Sequence, residues 1–266
     1  MKTTQRLLNS LVAGVVALTL VSSLAAQSPD QTTAKVVRLT GGARYKVGAG
    51  EWQPLKLGDV VHSGTVIQTA AKSRVDLSLG AEAPVQEGPP LASQAAAAAA
   101  SSNPLSYQPS TQQNIVRMWE NTLMSVDKLA VMHTGADVVT ETQLDLKAGH
   151  ITGSVKKMSA ASKFEVKIPN GVAGIRGTVF DIRAEGLVKV LSGSVVLAYV
   201  GPNGSVVTQV IMGLQQFDAR TGTLSPLPPD GSQDLDAIAR GLTTGLTGGA
   251  PTAYSVNASL FYISPH

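Results

Sequence analysis

Glycines at 171, 174 and 177, with Arg176 set between Ile175 and Gly177, give this 266-residue chain one stretch whose spacing suggests a ligand-binding loop. Such a loop holds an anion when it runs into a helix, whose first N–H groups and dipole receive the charge. Here the residues after Gly177 are Thr178, Val179, Phe180, Asp181 and Ile182, which alternate as a strand does. The anion-binding half is missing, and the spacing departs from the dinucleotide fingerprint. Tight turns between short strands, where a Cβ would clash, explain the glycines better. Gly171, Gly174 and Gly177 are therefore expected at a structural corner, with Pro169 ending the strand before it. Arg176 is expected to pin that corner, because its five donors can hold carbonyls that would otherwise each cost about 1–3 kcal/mol when buried unpaired.

Other chemistry is sparse. His62, His133, His150 and His266 have no second histidine or carboxylate at metal-ligand spacing, and read as ordinary surface or turn residues. No serine sits in a GxSxG elbow, and Asp137, Glu141 and Asp145, four apart, fall in a strand-like region where that spacing does not place them on one helix face. The absence of cysteine removes thiol nucleophiles, thiolate metal sites and disulfides together. No catalytic, metal or cofactor site is expected, although a carboxylate pair for glycan chemistry could still be assembled by folding.

The N-terminus carries Lys2 and Arg6 ahead of a mostly apolar run from Leu7 to Leu24, followed by Ala25 and Ala26. That is the pattern of a cleaved export signal over residues 1–26, with a retained anchor as the alternative. The expected location is periplasmic or secreted. Without Lys2 and Arg6 the chain holds 19 basic and 18 acidic residues, so the concentrated basic footprint of a nucleic-acid binder is not expected. A local cluster of Lys156, Lys157, Lys163, Lys167, Arg176, Arg183 and Lys189 reads as a solvated strand face, with an anionic surface polymer as the alternative ligand.

From Lys35 onward, short alternating runs closed by glycine predict strands. Examples are Phe164, Val166 and Ile168 between Glu165 and Lys167, then Val179 to Ala184, Leu187 to Leu191 and Val195 to Val200. Residues 81–114 break the pattern: 24 of these 34 residues are Ala, Pro, Ser or Gln, which reads as a mobile Ala-rich, disordered insertion. Ile115 to Leu129 fits either a helix or two strands around a Glu120-Asn121 turn, and its β-patterned flanks favour strands. A loose motif, glycine followed by an alternating strand, recurs at Gly41, Gly149 and Gly193, too irregular to count as a repeat. Residues 221–266 form a Pro/Gly-rich extension, with a short helix from Ser232 or Gln233 to Arg240 that Gly241 would end, and an edge strand from Tyr254 to Ile263. The expected fold is all-β: a β-solenoid-like or compact β-sandwich domain over residues 34–220.

With those pieces in place, the chain resembles the FecR domain family. The resemblance runs from about Lys35 to Val200 through "LKLGDVVHSGTVIQTAAKSRVDLSL", "LDLKAGHITGSV", "FEVKIPNGVAGIRGTVFDI" and "VKVLSGSVVLAYV". Its most specific piece is Ile168-Pro169 followed by Ile175-Arg176-Gly177-Thr178-Val179-Phe180. The resemblance implies a non-enzymatic extracytoplasmic β domain. In well-known members that domain relays a transporter's state through a membrane helix to a sigma factor, whereas this chain begins with an export leader. The resulting expectation is an exported scaffold that binds an envelope protein or an anionic surface polysaccharide. A sensory or regulatory partner in envelope signalling is the alternative, and an extracellular glycan-acting enzyme the second.

Overall fold

The computed structural model describes residues 30–80, 114–134, 137–201 and 203–243. The leader at 1–26, nearly all of the insertion at 81–114, the strand predicted from Tyr254 and His266 lie outside the described residues. In chain order the strands begin with β1 (Asp30–Gln31), β2 (Ala34–Thr40), β3 (Ala43–Val47), β4 (Gln53–Pro54), β5 (Val60–Val61), β6 (Thr65–Thr69) and β7 (Arg74–Leu79). After the insertion come β8 (Asn114–Met118), β9 (Leu123–Thr134), β10 (Asp137–Ala148), β11 (His150–Ser154) and β12 (Lys163–Ile168). The last are β13 (Gly171–Arg183), β14 (Leu187–Val200), β15 (Val206–Met212), β16 (Gln215–Asp218) and β17 (Thr223–Pro226), before one helix, α1 (Pro229–Thr243). The all-β expectation holds, and Ile115 to Leu129 is indeed two strands around a turn, with Asn121 at φ 52°.

Three antiparallel ribbons build the molecule. In the first, β2 and β3 pair with β7 and β6. In the second, β10 and β11 pair with β9 and β8. The third is β13 against β14. Each ribbon bends in its middle, so one half joins a first layer and the other half a second. The first layer runs β2, β7, β8, β11, the C-terminal half of β13, the N-terminal half of β14, then β16 and β17. The second runs β3, β6, β9, β10, β12, the N-terminal half of β13, the C-terminal half of β14, then β15. Followed strand to strand, these pairings form a curled open sheet whose ends do not meet.

The core lies between the layers. Phe164 of the second layer meets Phe180 of the first edge to face at 6.4 Å, and Tyr199 meets Phe217 likewise at 5.2 Å. Val75, Leu77, Val116, Ile151 and Val190 fill one wall and Ile67, Met124, Leu144, Val166 and Leu197 the other. These are the apolar positions of the alternating runs, so period two alone selected the core.

Two predicted boundaries shift. The strands expected on either side of Gly193 are one 14-residue strand, β14, and the glycine stretch at 171–177 lies inside β13. The helix starts three residues before Ser232 and runs through Gly241 to Thr243, because Leu235 and Leu242 are both buried against the sheet and tertiary packing outweighs glycine's poor propensity.

Candidate interaction surfaces and the corners that shape them

The bend in each ribbon is made the same way. One strand contributes a residue of positive φ followed by a buried hydroxyl: Lys72-Ser73, Asn121-Thr122 and Gly177-Thr178. The partner strand contributes a glycine of positive φ: Gly41, Gly149 and Gly193. In every case the hydroxyl accepts from the residue after that glycine, with Gly42 N to Ser73 Oγ at 2.9 Å, His150 N to Thr122 Oγ1 at 3.2 Å and Ser194 N to Thr178 Oγ1 at 3.2 Å. In every case a carbonyl two residues before the hydroxyl lies within donating reach, Ala71 O at 3.1 Å, Glu120 O at 3.3 Å and Arg176 O at 3.0 Å. A Cβ on Gly193 would run into Gly177 O and Thr178 Oγ1, so only glycine lets the strands approach this closely. The irregular sequence motif at Gly41, Gly149 and Gly193 is therefore a structural repeat whose second half, the hydroxyl, lies on another strand.

The residues singled out around 171–180 divide accordingly. Gly177 and Thr178 form the third corner, where the β13–β14 register slips between Arg176 and Val179. The structural-corner expectation is right in kind, as a bend within one strand. Arg176 does not pin it: the residue is exposed opposite Ser194, and among the described residues its guanidinium makes no hydrogen bond or ion pair. The buried Thr178 hydroxyl does that work, donating to Ser194 O at 2.8 Å, because a short side chain fits where a guanidinium would have to be desolvated. Phe180 is core, packed over Gly153. Pro169 stands in the turn between β12 and β13, and Gly171 lies so close to β14 that a Cβ would meet Ala198 O. Gly174 has an ordinary φ and room for a methyl group, its added Cβ coming 3.7 Å from Val196 O.

The outer face of the first layer carries a polar ladder that sequence reading did not find. Arg117 holds Asp76 through two bonds of 2.7 Å, with the Asp76 side chain buried, and Arg38 reaches the same carboxylate at 3.3 Å. Next along, Trp119 Nε1 donates to Thr152 Oγ1 at 2.9 Å, and Thr152 Oγ1 donates to Asp181 at 2.7 Å. Trp119 stacks on His150 at 5.4 Å, with the Arg117 guanidinium 5.5 Å from its ring. Burial pushes the His150 imidazole below its ordinary value, against an upward pull from Asp181. Helix α1 closes this face, packing on β8, β11, β13 and β14. Arg38 also donates to Gly241 O, so a cation sits where the helix dipole is negative.

The outer face of the second layer is open. Its lysines stand beside carboxylates: Lys128 with Glu141 at 2.6 Å, Lys147 with Asp145 at 2.7 Å, Lys163 with Glu165 at 2.9 Å and Lys167 with Asp127 at 2.8 Å. For Asp127, partial burial raises the pKa, but hydrogen bonds from Lys167 and Ser125 prevail and hold it below the ordinary value. Beyond them the face turns apolar, with Val172, Val196, Val206, Val210 and Met212 exposed. Glu141 and Asp145, considered from sequence as possible partners in catalysis, both sit in such lysine pairs. Among the described residues no three His, Asp or Glu side chains come together as a metal site would need, and no helix is long and apolar enough to cross a membrane.

Residues 109–196 match the family model described as FecR protein. No curated protein matches the sequence. Two crystal structures of a candidate anti-sigma factor from Parabacteroides distasonis ATCC 8503 are similar, each at 16% identity and a TM-score of 0.34 over 49% of this chain. The match spans 57% of that protein's chain, so a little over half its length. The family match covers the second ribbon and the third up to residue 196, while the first, which repeats their corner, precedes it. Residues 109–196 are thus a FecR domain.

Proposed function

We propose that this chain is a non-enzymatic sensory or regulatory module of the bacterial cell envelope, acting by binding another envelope protein. The observation that carries the proposal is the FecR match over 109–196, a domain built here largely from two bent ribbons. The pattern of residues 1–26 supports export, and with it a periplasmic or secreted location. The outer face of the second layer is the surface left open to a partner, since α1 covers that of the first. An anionic polysaccharide is the weaker ligand class, because the lysines of that face already stand against carboxylates and offer a polyanion little net charge.

The test belongs in the native host. Deleting the gene and restoring it should alter and then recover transcription under an extracytoplasmic sigma factor. A photo-crosslinker at position 163 or 176, both on the open face, should trap an envelope protein. Unchanged transcription together with no trapped protein would refute the reading.

A further inference from the structure

We propose that β15 is a self-pairing edge through which two copies of this chain join their second layers into one continuous antiparallel sheet. Strands that end a sheet expose unpaired backbone groups and are normally blunted by shortness, proline or charge. Here β1, β4 and β5 are two residues long, β4 ends on Pro54, and β17 closes with Pro226. In contrast, β15 is seven residues long, "VVTQVIM", with neither proline nor charge, and among the described residues it pairs only with β14. No charged residue occurs anywhere from Val190 to Phe217.

The register shows why a second copy fits. Val200 N donates to Asn170 O on the β13 side, so in the C-terminal half of β14, from Ser194 on, even-numbered residues face β13 and odd-numbered ones face β15. In β15 the even-numbered residues must then present their N–H and C=O groups outward. The side-chain amides agree: Gln209 Nε2 donates to Val210 O at 2.7 Å, and Met212 N donates to Gln215 Oε1 at 2.8 Å. Antiparallel self-pairing about Gln209 sets Thr208 opposite Val210 and Val206 opposite Met212, and each of these residues presents the backbone groups the other needs. The exposed Val206, Val210 and Met212 gain apolar neighbours across the join, and with no charge on either strand there is no like-charge repulsion to overcome. The two glutamine amides hold the edge in the separate monomers and give way on pairing.

The experiment is sedimentation of the full mature chain over a concentration series, combined with hydrogen exchange at single-residue resolution. The expected result is a monomer–dimer shift with rising concentration, during which the Thr208 and Val210 amides become protected. Thr208→Pro removes an outward donor and leaves the β14 ladder intact, so it should give a monomer with an unchanged circular dichroism spectrum. Val210→Lys, which places like charges near each other across the join, should do the same if the proline variant does not fold. A monomer at every concentration overturns the proposal. A dimer in which those amides stay unprotected overturns it too, since another surface would then be joining the copies.

Discussion

The two outer faces of the sheet use the same residue types to opposite ends. On the first layer an arginine and an aspartate, Arg117 and Asp76, are buried on the face that α1 packs against, with side chains 8% and 2% exposed. On the second, Lys167 and Asp127 meet at a similar distance with side chains 43% and 28% exposed. Distance alone would rate the pairs alike. Burial separates them, because desolvated charges depend on their partners and solvated ones have water as a substitute.

The sharpest way to break that comparison is to remove one carboxylate from each face. Asp76→Ala leaves the Arg117 guanidinium buried and unpaired, and should lower unfolding free energy in urea by about 3–5 kcal/mol. Replacing both partners, Asp76→Leu with Arg117→Met, should recover most of that loss, since a buried pair is often matched by apolar residues of similar volume. On the open face, Asp127→Asn should cost at most about 1 kcal/mol, falling further in high salt. If the two single variants cost the same, the Asp76–Arg117 pair is not sealed from solvent.

The corners provide the next contrast. Gly193→Ala forces a Cβ into Gly177 O at a φ of 82° and should cost about 1–3 kcal/mol or more, whereas Gly174→Ala, with ordinary φ and open space, should stay within about 0.5 kcal/mol. Thr178→Val keeps the shape but removes the hydroxyl's bonds to the backbone of Ser194 and Arg176, at about 1–3 kcal/mol. Arg176→Ala should change almost nothing, a direct check that the threonine and not the arginine holds the bend.

What could be read from the sequence follows from which forces are local. Period-two alternation selected Phe164, Val166, Ile168 and Phe180 as core because each strand has one inward face, a property of neighbouring residues. The glycines at 41, 149 and 193 were visible, but their hydroxyl partners Ser73, Thr122 and Thr178 lie 15 to 32 residues away on paired strands, so no short window holds the motif. Asp76 stands between Val75 and Leu77, as an outward-facing strand residue does, and nothing near it or Arg117 in the chain announces a cover. The helix on their face is more than 110 residues beyond them, and only folding brings it there. Arg176 misled for the opposite reason: a guanidinium can satisfy several carbonyls, but the bend offers space only for a hydroxyl.

The smallest expected effect tests the same contrast by pH. His150 lies at the end of the ladder, stacked on Trp119, and burial holds its folded pKa below the ordinary 6.5. At pH above 6.5 the imidazole is neutral in both the folded and unfolded states and the shift contributes nothing against stability. As pH falls below that value the unfolded chain takes up the proton first, so stability declines with acidification and levels off once the folded state is protonated too. His150→Phe keeps a ring on Trp119 without a titrating group. Unfolding free energies measured between pH 7 and 5 should therefore fall less steeply for the variant than for the parent, because carboxylates contribute little until lower pH. Parallel slopes would mean that the imidazole is as well solvated as the open face, and that the seal over the first layer ends before it reaches His150.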